Sequence, residues 1–406
     1  MSVSIEEALN IIVNSIQINK FEIVPIENAT SRISAENLHA TVSLPKFNNS
    51  AMDGYAILFE DKDKELTLTN KIFAGDNNQD ILETGTTIKI MTGARVPQNC
   101  EAVVPQENTQ TIGDKIKITS DIRKMQHIRF IGEDIQKDEL LIKTGEELNF
   151  SKITLLASQG ISHVKVYKKP KVVVFASGEE LKLHYQGIKE YQIYNSNTPT
   201  FIARVKELGC EVSFIGQAKD SIESIKEHVI NSLDADLIIS SGGVSVGEAD
   251  FTRESFTQVG LETLFDGVDV KPGKPTIFGK IKDTFILNLP GNPLASAMVF
   301  EMLGQIIIQK IIGSKDFYHN FIMAKLDQTL LNKKGRLTLV PGFFDGEKFT
   351  PSDKKSPGMV SILCQCNSFI ALDKNVSKLN ENQKVKVIPI NWKFFCDEKK
   401  DYITYE

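Results

Sequence analysis

The period of the apolar positions changes several times along this 406-residue chain. Residues 4–18 repeat at helical spacing, with Ser4 and Glu7 placed as a capping box, and predict an amphipathic helix. From Ile23 to Leu44 short apolar runs alternate with polar residues and predict small connecting structure. Residues 45–135 are rich in Gly, Asn, Thr and Pro, with strand-like pieces at Thr87–Met91 and Ala102–Val104. This is β-rich territory with long, potentially functional loops. Residues 140–168 read as a strand, a helix over Ser151–Ser158 and a strand over Val164–Tyr167.

At Lys171 the character changes. Lys171–Phe175 is a continuous β-branched run, the pattern of a strand buried on both faces. A helix follows, with Thr198 as N-cap and Pro199 in its first turn, ending at Leu208-Gly209. Glu211–Ile215 reads as a strand, and residues 220–233 as a helix opened by Asp220 with Glu223 as box partner. Leu237–Ser240 and Thr284–Leu289 are further strands, the second leading into an apolar helix over 294–312. Such alternation predicts an α/β domain with a parallel sheet, whose strand-end turns are where ligands bind. After Gly313 the pattern returns to short strand-like segments up to Ile403, a small separate β-rich domain.

Composition narrows the class. A hydrophobic share of 41% and a charged share of 24% are those of a globular protein. A net charge of −5 argues against duplex nucleic acid as partner. The runs Lys168-Lys169 and Lys333-Lys334 read as solvated surface. No signal peptide is apparent and no stretch approaches the ~20 apolar residues of a membrane span. Five cysteines, odd in number, suit a reducing cytoplasm, and Cys364-Gln365-Cys366 reads as strand sequence. The six histidines show no ligand spacing and read as structural.

Three loops crown the expected sheet. Ser240–Asp250 contains Ser241, Gly242 and Gly243, small residues that let backbone N–H groups approach a ligand closely. It has neither the Gly-Lys-Ser/Thr of a Walker loop nor the glycine spacing of a dinucleotide site. Lys271–Pro275 sets the ammonium groups of Lys271 and Lys274 on a proline-stiffened backbone suited to an anion. Pro290, Gly291, Asn292 and Pro293 precede a helix whose free N–H groups are expected to hold an anion. The β-rich region adds Phe47–Ala56, Ile90–Pro97 and Arg129–Asp134. Asp53, Asp134, Glu180 and Asp250 are candidate ligands for Mg²⁺ or water.

Taken in order, Ser50–Tyr55, Met91–Ala94, Gly132–Ile135, Ser240–Asp250, Lys271–Pro275 and Leu289–Pro293 closely resemble the molybdopterin molybdenumtransferase family, which includes the C-terminal part of gephyrin. The resemblance spans nearly the whole chain. It implies a multidomain α/β protomer: an elongated connecting domain (1–44 with 136–169), a β-rich insertion (45–135), an α/β molybdopterin-binding domain with a parallel or mixed sheet (170–315) and a C-terminal β-barrel-like domain (316–406). It further implies a cytoplasmic transferase and an elongated homodimer, in which the insertion of one subunit faces the α/β domain of the other. The implied reaction puts molybdate into adenylyl-molybdopterin with Mg²⁺ as cofactor and releases AMP.

By position, the resemblance implies a catalytic set of Asp53, Thr92, Asp134, Glu180, Asp250 and Lys271, with Glu180 and Asp250 on the metal. Arg129, Ser241, Gly242, Gly243, Lys274, Pro290, Asn292, Pro293, Arg336 and Ser356 would bind substrate. Asp220 also matches, although a helix N-cap explains it as well. The chain departs from the family at Asn48 and Asn195, where carboxylates are usual, at Glu179, where the family has Asp, and at Gly267, where a lysine is common. Two rival readings are the upstream adenylyltransferase, otherwise an expected partner, and a non-catalytic scaffold.

Overall fold

The computed structural model describes residues 2–18, 20–77, 79–243, 251–354, 356–392, 399 and 403–404. In the connecting region, strand Phe21–Pro25 pairs antiparallel with His163–Tyr167, and Leu38–His39 with Leu140–Ile142. Helix Phe150–Ser158, capped by Asn149, closes a small core of Val24, Leu38, Ile142, Leu156 and Val166. The chain leaves this body and re-enters it at one point, where the Ile135 N–H donates to the Leu44 carbonyl at 3.1 Å. Between lies a six-stranded sheet in the order 102–105, 54–57, 86–90, 65–72, 115–118, 109–112. Gly54 is required there: a Cβ would lie 2.0 Å from the Val104 carbonyl oxygen of the neighbouring strand.

The α/β sheet has six strands: β1 (Lys171–Ser177), β2 (Glu211–Ala218), β3 (Leu237–Ser241), β4 (Glu262–Asp266), β5 (Ile277–Ile281) and β6 (Thr284–Leu289). Their order is β2-β1-β3-β6-β5-β4. The first four are parallel, and β5 and β4 continue as an antiparallel edge. The apolar runs expected of doubly buried strands are met, since Leu237, Ile238 and Ile239 are fully buried. Helix Ile5–Ser15 opens with the Ser4–Glu7 capping box. Its Ile5, Ala8 and Ile12 bury in the α/β core with Phe201 and Leu303, so residues 1–44 divide between two bodies.

The segment 293–311 forms one continuous helix, long and apolar enough by length and composition to cross a membrane, with a mean hydropathy of 1.4. The sequence reading of no such stretch is corrected to that extent. Most of this window, 78%, is buried inside the protein, as a core helix would be. Its middle, Phe300–Gly304, widens into a π-helical turn. There Glu301 takes a two-pronged hydrogen bond from Arg204, at 2.8 and 2.9 Å. Burial pushes the Glu301 carboxyl up, and the Arg204 guanidinium opposes that push.

Beyond Gly313, strands 337–344, 348–351, 322–326, 384–389 and 368–372 pair in sequence around a ring that closes on itself. This is the expected barrel-like domain. Two local expectations fail. Cys364 and Cys366 belong to a short helix, Ser361–Gln365, and its C-cap rather than to a strand. The helix after β2 is Ile222–Ile230, capped by Ser221 instead of Asp220.

One polar clamp joins the connecting body to the end of the α/β domain. Glu146 accepts from Lys315 at 2.7 Å and pairs with Lys152 at 2.9 Å. Those two lysines, against a smaller burial cost, pull its carboxyl from 4.5 down to about 2. A depressed carboxyl contributes stability above its unfolded pKa and loses it as pH falls through the folded value. The full shift corresponds to at most about 3 kcal/mol, and partial exposure of both lysines reduces that. Glu146→Gln is therefore expected to lower the thermal midpoint at neutral pH, with the gap from wild type narrowing between about pH 5 and pH 2. An undiminished gap in acid would contradict the clamp.

Candidate functional site

The carboxyl ends of β1, β3 and β6 line up, with Ala176 opposite Ser241 and Ser241 opposite Leu289. Backbone crowding dictates small residues in the turns that follow. A Cβ on Gly242 would meet the Ser177 carbonyl oxygen at 2.5 Å, and one on Gly243 the Thr252 hydroxyl at 2.0 Å. Both glycines have positive φ. The Gly242 N–H donates to the Leu289 carbonyl, and Gly291 packs beside Gly242. Turns 241–243 and 290–292 thus form one ledge. Asn197, 8% exposed, ties it together from below: its Nδ2 donates to the Gly291 carbonyl at 2.8 Å and lies 3.5 Å from Ser241 Oγ.

The basic loop is set by two contacts. Val270–Lys271 pairs parallel with Leu337–Thr338 of the barrel, which brings Arg336, the residue before Leu337, to the start of the same short ladder. Gly273 turns the chain against helix Pro293–Val299, where a Cβ would strike Val299 at 2.1 Å. Lys271, Lys274 and Arg336 are all exposed. No lysine could replace Gly267 without displacement, because it has φ +96 and a Cβ there would lie 3.3 Å from Ser2.

The helix end at Pro293 differs from expectation. Pro293 has no N–H to offer. The Leu294 and Ala295 N–H groups donate to the Pro357 carbonyl at 2.9 and 3.4 Å, and Ser296 to Asn292. The free N–H groups expected to hold an anion are occupied by the barrel. Ser356, directly before Pro357, is exposed beside Pro290–Pro293 as a result.

On the other side of the ledge, Gln217 Nε2 donates to the Gly178 and Leu181 carbonyls. Asp220 accepts the Glu179 N–H at 3.1 Å, so it fixes the turn carrying Glu180 and does not cap a helix. The Glu180 carboxylate folds back over Gly178. Thr198 is not the cap of its helix either. Asn195, 3% exposed, accepts the Thr198 N–H at 3.1 Å and donates to its hydroxyl at 2.8 Å. The amide satisfies the Thr198 N–H and hydroxyl together without burying a charge, which suits this buried position.

The insertion loops also converge. Ser50 exchanges backbone bonds with Gly93 and Ala94, Val96 donates to Asn48, and Ala51 to His127. Strand Ile128–Arg129 pairs with Asn49–Ser50, and Asn48 Oδ1 accepts the Ile131 N–H at 2.9 Å. Asp134 is held by its N–H to the Leu44 carbonyl. Asp53 accepts both the hydroxyl and the N–H of Thr92 at 2.7 Å, and these bonds lower its pKa. Asp53, Thr92, Arg129 and Asp134 are all exposed. Among the described residues, no hydrogen bond or ion pair joins this group to the ledge.

Asp250 lies outside the described residues, so of the two candidate metal ligands only Glu180 is placed. Among the described residues, no group of three or more His, Cys, Asp or Glu could hold a metal ion. Sequence reasoning missed Asn197, Gln217 and Pro357, which hold the loops through hydrogen bonds to backbone groups. The dense amide run Asn195-Ser196-Asn197 directly before a helix was the available signal.

Three family models match in succession: "MoeA N-terminal region (domain I and II)" over residues 3–160, "Probable molybdopterin binding domain" over 173–310 and "MoeA C-terminal region (domain IV)" over 323–390. The chain is 35% identical over 380 residues to a molybdopterin molybdenumtransferase of Haemophilus influenzae, covering 91% of this chain and 94% of that protein. It is 30% identical to one from Staphylococcus aureus, covering 91% of each. The crystal structure of a molybdopterin biosynthesis MoeA protein from Pyrococcus horikoshii superposes with a TM-score of 0.84 at 30% identity, covering 97% of this chain and all of that one.

Thr92→Val removes one of the two bonds that lower the Asp53 pKa. The Asp53 carboxyl is expected to titrate at higher pH in that variant, read by carbon-13 NMR of its side chain. An unmoved titration would show that the hydroxyl does not hold this carboxylate.

Proposed function

The chain belongs to the molybdopterin molybdenumtransferase family, and on that premise we propose that it inserts molybdate into adenylyl-molybdopterin, releasing AMP. The observation that carries this reading is the gathering of Lys271, Lys274, Arg336 and Ser356 around the ledge of turns 241–243 and 290–292. Three cations and a hydroxyl beside closely approachable backbone suit a ligand with several anionic oxygens. Lys271, Lys274 and Arg336 would bind phosphate and the incoming oxyanion as point charges and a planar fork. Ser356, Pro290, Asn292 and Pro293 would shape the floor beneath them.

Asp53, Thr92, Arg129 and Asp134 are assigned to the same site from a second subunit of a homodimer. Support comes from the exposed apolar residues beside them, Phe47, Met52, Phe130 and Ile131, which a partner would cover. The hydroxyl and amide of Thr92 keep Asp53 ionised and aimed, as an acceptor for a proton or a substrate hydroxyl.

Mg²⁺ is assigned to Glu180, the one of the two candidate ligands that lies among the described residues. This hard cation takes one or two protein carboxylates and completes its shell with water and phosphate. Glu180, on a turn pinned by Asp220 and Gln217, is a suitable donor, with Asp250 as its companion. When bound, the metal would neutralise charge developing on the phosphoanhydride.

The test is AMP release from adenylyl-molybdopterin on addition of molybdate and Mg²⁺. Wild type is expected to release AMP and yield active cofactor, and Lys271→Ala and Asp53→Ala are each expected to lose on the order of 10²-fold. Absence of AMP release from wild type would sink the reading. Heterodimers carrying Asp53→Ala in one subunit and Lys271→Ala in the other should regain about half of the wild-type rate, because one of two shared sites is intact. No recovery would place each site within a single subunit.

A further inference from the structure

A cavity of about 330 Å³ opens at the end of the α/β sheet opposite the ledge. It forms where the chain crosses between bodies: outward at Ser15–Ile18 and Lys20 after the first helix, and back through Lys168 and Pro170 before β1. The amino ends of β3 and β6 contribute Asp236 and Phe285, and the turn between β5 and β6 adds Lys282 and Asp283. The volume is at the small end of ligand pockets, which run from about 300 Å³ upward.

Its lining has two characters. Phe285, half-buried and stacked on Phe278 with 7° between the rings, lies with Pro170 and Ile311 as an apolar floor. Lys20, Lys168, Lys280 and Lys282 supply four ammonium groups from three separate stretches of chain. Two of them have local partners: Lys20 pairs with Asp236 at 2.5 Å, and Lys280 with Glu262 at 3.4 Å. Asp236 is doubly engaged, because its other oxygen accepts the Lys171 N–H. Among the described residues, Lys168 and Lys282 form no ion pair, and Asp283 is the remaining acid of the lining. In a chain of net charge −5, this is a locally cationic pocket over a flat apolar floor.

We propose that this hinge cavity binds a nucleoside monophosphate, with the planar base on the Phe285 and Pro170 floor and the phosphate between Lys168 and Lys282. A ring alone would leave the two lysines unanswered, and free phosphate would leave the floor exposed to water. The bound molecule would touch both chain crossings at once, so it ties the connecting body to the α/β domain and stiffens the joint that orients the insertion. The site is separate from the ledge and does not depend on the reaction assigned to it.

Calorimetric titration of the full chain with AMP tests this, using Lys168→Glu/Lys282→Glu and, separately, Lys271→Ala/Lys274→Ala. Both pairs are exposed, and circular dichroism of each variant checks that it stays folded. The hinge variant is expected to lose an AMP-binding event, at least about tenfold in affinity, that the ledge variant retains. Adenosine and inorganic phosphate should each bind that site at least about tenfold more weakly than AMP. Unchanged AMP binding in the hinge variant, complete loss in the ledge variant, or no AMP binding by wild type would each overturn the proposal. Inorganic phosphate binding as tightly as AMP would overturn the assignment of the floor to a base.

Discussion

The short parallel pairing of Val270–Lys271 with Leu337–Thr338 is the constraint on which the arrangement of the ledge depends. It is only two residues long, but it joins a loop of the α/β domain to the barrel and puts Lys271 and Arg336 on neighbouring backbone. A second tether, from the Pro357 carbonyl to the Leu294 and Ala295 N–H groups, acts at the other side of the same helix. Without these two attachments, three like charges would have to be held together on mobile loops. Their mutual repulsion would then spread them apart, since cations in water are weakly but consistently driven from one another. The fold instead holds the cations at fixed spacing before a ligand arrives, which reduces the entropy lost on binding.

The two groups of polar loops are built by different means. Those of the insertion are braced by two backbone ladders, one in the six-stranded sheet and one between 49–50 and 128–129, and Asp53 is positioned by its bonds to Thr92. Those of the ledge are braced by amide side chains from beneath: Asn197 across two turns, Gln217 across a third and Asn195 at the start of a helix. Amides suit this task because each carries both donors and acceptors without charge, and can be buried once its bonds are satisfied. The substitution of amides for carboxylates at Asn48 and Asn195 is consistent with this use. Asn48 serves as an acceptor, as a carboxylate could, whereas Asn195 also donates.

Much of this was legible in the sequence wherever the signal was local. The capping box of Ser4 and Glu7, the doubly buried strands and the glycine turns at their ends follow from patterns within a few residues. Two of the errors share one cause, which is a partner distant in the chain. Asp220 resembles a helix cap until the Glu179 N–H, 41 residues away, takes its oxygen. The helix end at Pro293 looks free until Pro357 arrives from the barrel. The apolar stretch 294–312 reads correctly as a helix, and its apolar length is matched by its burial in the α/β core. The meeting of the insertion loops with the ledge of a second subunit is part of the proposed function and rests on the resemblance, because a single chain carries no signal for it.

The barrel closes its ring through the pairing of strands 337–344 and 368–372 and so presents little free edge. Its sixth strand is borrowed, since Val270–Lys271 belongs in sequence to the α/β domain. The two domains are therefore separable on paper but interleaved as folded objects. An α/β domain cut at residue 315 would carry an unpaired strand, an uncapped helix and a stray basic loop. Loss of the barrel would thus leave backbone groups of the α/β domain without the partners they now have, so the two are coupled in folding as well as in the site.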